Sequence, residues 1–378
     1  MTLTAHEPQR PSVEMLRQLT DRRVFEQLLE ADTLTRTEIA ALTGISKPTI
    51  SESVRRLTDA GVVQESGQQV GGRGRAGTYC RLRTDTAAAL AVSIGPDGVV
   101  VDTFDLRDRP VAHVESSVPT PVQGAALGPI LRMAVQAATR QTPGLVRSCV
   151  VSVAAPVDRR TGRLVELDHS PFLVGEFAPE EVLRRVADPV EVDNDVNWAA
   201  LAESQHGNAT DLTDFVLCYL GAGIGGAIMV GGSIVGGGRG MAGELAQTRT
   251  TGPGGRSLPL FGCFAAWGLL HPGSKAIDVA RVVGILEGNT VSDRRRAEQI
   301  ATAVAGALSS VVALLDPQGV LVGGPWGSAP GLVERITERM EVSGDLVLRP
   351  VGLPEAPYRD GIRIRAVAAA RQAVADDF

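Results

Sequence analysis

Two helix starts with one glycine between them, Thr35-Arg36-Thr37-Glu38 and Ser46-Lys47-Pro48 on either side of Gly44, constrain this chain more than any other feature. The first is a capping box: the Thr35 hydroxyl and the Glu38 carboxylate satisfy amides that an opening turn leaves free, ahead of Ile39-Ala40-Ala41-Leu42. That short helix stops at Thr43-Gly44, and Gly44-Ile45-Ser46 forms a tight turn. Ser46 as N-cap and Pro48 in the first turn then begin another helix that runs to about Ala60-Gly61. Upstream, Arg22-Arg23-Val24-Phe25-Glu26-Gln27-Leu28-Leu29 has helical apolar spacing and predicts a first helix ending near Ala31-Asp32. Three helices so spaced predict a helix-turn-helix.

The third helix has two faces. Ile50, Val54 and Leu57 form its apolar stripe, while Lys47, Thr49, Ser51, Glu52, Arg55 and Arg56 lie opposite. Strand-like Val62-Val63-Gln64-Glu65 and Thr78-Tyr79-Cys80-Arg81-Leu82-Arg83 flank Gly71-Gly72-Arg73-Gly74-Arg75, which reads as a basic wing. A polar helix face is usually just solvated, and such patterns arise by chance; here capping box, glycine turn, capped helix and basic hairpin follow in the right order. Lys47, Arg55, Arg56, Arg73 and Arg75 are therefore expected to neutralise the phosphates of double-stranded DNA, with Thr49 and Ser51 approaching base edges. The charge agrees: Arg22 to Arg83 holds ten Lys+Arg against seven Asp+Glu, in a chain whose net charge is -6.

Beyond Thr84 strands alternate with helices, as in an α/β fold. Ala87 to Ile94, Val99 to Leu106 and Val111 to Val118 read as consecutive strands, with Gly95-Pro96-Asp97-Gly98 turning between the first two. Helices are expected at about Gln123 to Arg140, Pro179 to Val186 and Val196 to His206, and strands at Ser148 to Ala154 and Val190 to Val192. No internal repeat is visible. Phe215 to Gly238 is uncharged and long enough to cross a bilayer, but nine of its residues are Gly, so it reads as short strands joined by glycine turns. The four cysteines, Cys80, Cys149, Cys218 and Cys263, have no paired spacing, which predicts neither a disulfide framework nor a zinc ribbon. Met1 to Glu7 lacks the basic-then-apolar pattern of a secretion signal, and a cytoplasmic protein is expected.

Three stretches resemble the ROK family of repressors and sugar kinases on the actin-like ATPase fold. They are Val192-Asp193-Asn194-Asp195-Val196-Asn197, then Gly221-Ala222-Gly223-Ile224-Gly225-Gly226 with Gly240-Met241-Ala242-Gly243-Glu244, and Leu315-Asp316-Pro317 with Val320-Leu321-Val322-Gly323-Gly324. The resemblance implies an α/β chain with a winged helix-turn-helix at 1-84. Behind it stands a two-lobed body: a small lobe at 85-192 joined by a terminal helix at 361-378, and a large lobe at 193-360. In family kinases the carboxylate matching Asp195 is the base that deprotonates the sugar, and Asn194 and Glu244 match sugar contacts. Gly223 and Gln247 are added to the expected ligand contacts. Asn194 and Asp195 also suit a helix N-cap, so capping alone remains open for them.

The departures from the family matter as much. Where kinases carry Asp-x-Gly-Gly-Thr to hold phosphates and metal, this chain reads Ser93-Ile94-Gly95-Pro96-Asp97: the carboxylate is gone and Pro96 removes an amide donor. The positions matching the family's zinc ligands read Gln247, Arg256, Leu258 and Cys263, and a sugar-binding Glu falls on Ala265. These departures imply a non-enzyme with no cofactor and no metal, in which Asp195 is a relic or a ligand contact. The expected function is a repressor of carbohydrate-related genes. It would act as a homodimer or homotetramer on a palindromic operator and sense a sugar or sugar phosphate. A sugar kinase with a regulatory head and a ligand-blind regulator are the alternatives.

Overall fold

The computed structural model describes residues 13–66, 78–167, 172–340, 346–353 and 355–378. At its start, α1 (Val13–Glu30), α2 (Arg36–Thr43) and α3 (Lys47–Asp59) form a three-helix head. The capping box closes as the sequence requires: the Thr35 hydroxyl accepts the Glu38 N–H at 3.2 Å, and the Glu38 carboxylate accepts the Thr35 N–H at 2.7 Å. α2 ends on Gly44 with φ +70°, a conformation that glycine adopts without a Cβ clash. Ser46 caps α3 by accepting the Thr49 N–H. Phe25, Leu28, Ile39, Ile50, Val54 and Leu57 are buried between the three helices. Strands Val63–Ser66 and Tyr79–Leu82 pair antiparallel, and Leu34–Thr35 joins the other edge of Tyr79–Leu82. The expected wing loop with Arg73 and Arg75 lies outside the described residues.

α1 begins at Val13 rather than near Arg22. Its first turns leave Val13, Met15, Leu16 and Leu19 half or more exposed, so no buried stripe marks them in the sequence.

The body holds two five-stranded sheets of the same design. In the first, Ala87–Gly95, Gly98–Asp105 and Pro110–Ser116 form an antiparallel meander, and Leu145–Val153 and Val190–Asn194 add in parallel beyond Ala87–Gly95. Gly95 pairs with Gly98, so Pro96 and Asp97 make a two-residue turn. In the second, Phe215–Leu220, Ile224–Val230 and Ser233–Ile234 form the meander, and Gly319–Gly323 and Val347–Pro350 add in parallel. This duplication was invisible in the sequence because strand order is what repeats, and the second meander's last strand is two residues long. The glycine-rich stretch is thus a set of strands, as its turns imply. Among the described residues, the helix Val291–Leu315 is long and apolar enough to span a bilayer by length and composition. Its Ala297, Ile300, Ala301, Val304 and Leu308 are buried in the core of the second lobe.

Pleating decides what covers the first sheet. Leu90, Val92 and Ile94 face the helix Gly124–Gln141 through Leu127, Leu131 and Val135. Ala87, Ala89 and Ala91 face the carboxy-terminal helix Pro357–Ala375 through Ile362, Ala366 and Ala370. That helix follows the second sheet but lies on the first, and it also packs against the helix Asp195–His206. At Gly361 the approach is so close that a Cβ would lie 2.0 Å from the Trp198 carbonyl oxygen. Trp198 is buried and donates its indole N–H to the Val151 carbonyl at 3.0 Å. Gly361→Ala should therefore destabilise the chain by about 1–3 kcal/mol through overpacking. Gly284→Ala, in a helix where a Cβ meets nothing within 4 Å, should be neutral or stabilising. Urea midpoints of the two variants check this; equal midpoints would refute the crowded contact.

Candidate functional site

The first site is the outer face of α3. Its cap and buried stripe orient the helix so that Lys47, Thr49, Glu52 and Arg55 are exposed and Ser51 is half-buried. Arg55 pairs with Glu52 at 2.6 Å and Asp59 at 3.6 Å while its side chain stays 61% exposed. Such solvated pairs are weak and yield readily to a phosphate. Thr49 shares a hydrogen bond of 2.8 Å with Ser46.

Arg56, expected on phosphate, is occupied elsewhere. Its Nε and Nη2 donate to the carboxylate of Asp21 on α1 at 2.8 and 2.6 Å, and the buried Ser53 hydroxyl donates to the same carboxylate at 2.5 Å. Asp21 is 4% exposed, so this pair ties α1 to α3 where one charge demands the other. Helical spacing put Arg56 on the polar face; the long-range partner on α1 turned it inward.

The second site is a cleft of about 360 Å³ between the two sheets. The turn at Pro96-Asp97, the glycine loop at Ala222-Gly223 and the start of the helix Asp195–His206 meet there. It lies beyond the carboxyl ends of parallel strands, where α/β sheets bind ligands, and its volume suits a small molecule. Asn194, Asp195, Gly223 and Glu244 all line it. A Cβ on Gly223 would meet nothing within 4 Å, so the loop leaves open space on the cleft. Gln247 does not join them: it is exposed at the end of the 3₁₀ turn Leu245–Gln247, because Leu245 and Ala246 turn into the core of the second lobe.

Capping is realised at the helix start. The side chains of Asn194 and Asp195 both accept the Val196 N–H, at 3.0 and 2.9 Å. Neighbouring Asp193 accepts from the Asn197 amide and from Arg159, each at 2.7 Å. At the far end of the same helix the buried Glu203 carboxylate accepts the backbone N–H groups of Asn208 at 2.8 Å, Gly352 at 3.0 Å and Leu353 at 2.8 Å. Tyr219, Tyr358 and Arg359 also line the cleft, although no motif marked them; they come from a strand and from the carboxy-terminal helix, brought together only by the fold.

Burial pushes the Asp195 carboxyl up to about 7, against the pull of the Val196 amide. Burial and then the Asp195 charge raise Glu244 to about 7 as well. Burial also lifts the Tyr219 hydroxyl to about 12, so it stays a donor at neutral pH.

The residues present do not fit the metal-bound phosphates of a nucleotide or a zinc ion. Ser93 lines the cleft where a metal-binding carboxylate would stand, and Pro96 offers no N–H. Arg256 and Leu258 sit in the turn and strand of a hairpin, Arg249–Thr251 with Ser257–Pro259, whose arms are joined by Arg249 donating to the Ser257 carbonyl at 2.6 Å. Leu258 and the buried Cys263 thiol close on Gly252, where a Cβ would lie 2.9 and 3.0 Å from them. With Gln247, this set offers one thiol where zinc requires four donors.

The comparisons follow this division of the chain. A profile described as ROK family matches residues 89–263, and one described as winged helix-turn-helix DNA-binding matches residues 17–64. The bifunctional enzyme NanE/NanK of Brucella suis biovar 1 is 33% identical over 164 residues, covering 43% of this chain and 31% of that protein. The DNA-binding transcriptional dual regulator NagC of Escherichia coli K12 is 25% identical over 256 residues, covering 67% of this chain and 63% of that one. This chain thus spans less than two thirds of either relative. Among solved structures, a ROK family transcriptional regulator described as a homolog of the E. coli MLC protein superposes with a TM-score of 0.69 at 18% identity. It covers 95% of this chain and 98% of its own, which establishes the fold: a winged helix-turn-helix on a two-lobed α/β body.

The raised carboxyls have a thermodynamic signature. Asp195 and Glu244 keep their protons to about pH 7 in the folded chain, but only to about pH 4 in the unfolded chain. Between those limits the folded state binds more protons, so their contribution to stability falls as pH rises. Melting temperatures measured from pH 5 to pH 8 should show Asp195→Asn and Glu244→Gln gaining on the parent as pH increases. A constant difference across that range would contradict the shifts.

Proposed function

We propose that this chain, a ROK-family domain carried behind a winged helix-turn-helix head, is a sequence-specific DNA-binding regulator of carbohydrate-related genes with repressor action. The observation that carries the reading is α3 itself: capped at Ser46, fastened to α1 through Asp21, and presenting Lys47, Thr49 and Arg55 to solvent. Lys47 and Arg55 meet phosphates, Thr49 and Ser51 approach base edges, and Arg73 and Arg75 add positive charge. The protein works in the cytoplasm as a homodimer or homotetramer, whose two-fold symmetry a palindromic operator matches.

The cleft takes a sugar or sugar phosphate. Asn194, Asp195 and Glu244 offer acceptors and Tyr219 a donor, a set that suits a polyhydroxylated molecule. The ligand acts by its differential affinity for two arrangements of the lobes; a coupling of about 1–3 kcal/mol makes a usable switch. Phosphoryl transfer depends on positioning and charge stabilisation, and a cleft with Ser93 and Pro96 at the phosphate end supplies neither, so we read the body as a sensor without kinase activity. One observation favours the kinase alternative: Asp195, raised to about 7, sits in the cleft where a general base would.

Two measurements test this. Fluorescence anisotropy with duplexes from the protein's own promoter region should show binding that weakens with salt, and Arg55→Ala should lower both the affinity and the salt slope, the latter by about one. Unchanged affinity at moderate salt would contradict the placement of α3. A coupled assay with ATP and common hexoses should show no turnover; a rate of about 1 per second would establish the kinase instead.

A further inference from the structure

The head is packed on the first lobe rather than hung from it. Phe25, Leu28 and Ile39 of the head belong to one continuous buried cluster with Phe104, Leu106, Ile362 and Val374 of the body. At one edge of that contact lies Arg107, in the turn after the strand Gly98–Asp105, with its side chain 10% exposed. Its Nη2 donates to the carbonyls of Leu28 at 2.7 Å and Ala31 at 2.5 Å, and its Nη1 to the Asp32 carboxylate at 2.8 Å. α1 has no basic residue in its own last turn. The body therefore supplies the cation that its carbonyl end and dipole call for.

The carboxy-terminal helix grips α1 elsewhere. Arg22 donates to Gln372 at 2.6 Å, and Phe378 meets Phe25 edge-on at 5.6 Å between ring centroids. On the same helix, Gly361 abuts the backbone of Trp198, one turn into the helix that begins with Asp195 in the cleft. Glu203 ties the other end of that helix to the amides of Gly352 and Leu353. Packed helices and hydrogen bonds thus run without a gap from Asp195 through Trp198, Gly361 and Gln372 to α1, and through Asp21 to Arg56 and Ser53 on α3.

We propose that Arg107 is the positioning residue of the DNA-reading head, fixing α1 and hence α3 on the first lobe so that the carboxy-terminal helix relays the state of the cleft to the reading face. This rests on the regulator reading above. Coupling between two sites is reciprocal, so DNA on the head must be felt at the cleft even when the natural ligand is unknown.

The test is amide hydrogen exchange, read by mass spectrometry on the full chain with and without a duplex from its own promoter. In the parent protein the duplex should slow exchange at least threefold in α1 to α3 and also in 195–206 and 357–375. Arg107→Ala should still bind the duplex, with protection confined to the head, and Arg107→Lys, which keeps a donor cation, should recover part of the distant protection. If Arg107→Ala loses its far-ultraviolet dichroism, Gln372→Ala, a change at an exposed side chain, serves in its place with the same expected loss. Duplex binding with protection confined to the head in the parent overturns the relay while leaving the regulator reading standing. Distant protection that survives the Arg107 or Gln372 change overturns it too. A parent chain that binds no duplex overturns both readings.

Discussion

The approach of two backbones at Gly361 and Trp198 is the contact on which the rest of the molecule depends. It lets a helix that begins beyond the second sheet lie down on the first, and so turns two lobes and a head into one packed body. The small side chains Ala87, Ala89 and Ala91 beneath that helix serve the same end, since larger ones would lift it from the sheet. The helix then reaches the head at Arg22 and Phe25, and the orientation of α3 follows from packing in the body as well as from the head's own caps.

The two sides of the cleft differ in the chemistry they present. Asp195 and Glu244 face a shared space; burial raises both carboxyls, and the Asp195 charge adds to the shift of Glu244. Ser93 and Pro96 line the same cleft, and Pro96 has no N–H to donate.

Local signals were legible in the sequence and long-range ones were not. The Thr35 and Ser46 caps, the Gly44 stop, the Gly95 to Gly98 turn and the glycine-broken strands after Phe215 each depend on neighbours a few residues away, and each formed where its chemistry required. The early start of α1, the pairing of Arg56 with buried Asp21, the exposure of Gln247 and the convergence of Tyr219, Tyr358 and Arg359 on the cleft depend on partners far along the chain. The duplicated sheet order escaped for a related reason: topology is a property of pairing, and no residue pattern encodes it alone.

The alternation of the first strand carries a consequence for how sequences of this design can drift. Leu90, Val92 and Ile94 meet the large side chains Leu127, Leu131 and Val135, so bulk lost on one partner can be restored on the other. Ala87, Ala89 and Ala91 have no such latitude, because the helix above them is pinned at Gly361 on one side and at Arg22 on the other. Two faces of a single strand, one residue apart, therefore answer to different rules: one tolerates compensated exchange, and the other accepts almost nothing bigger than a methyl group.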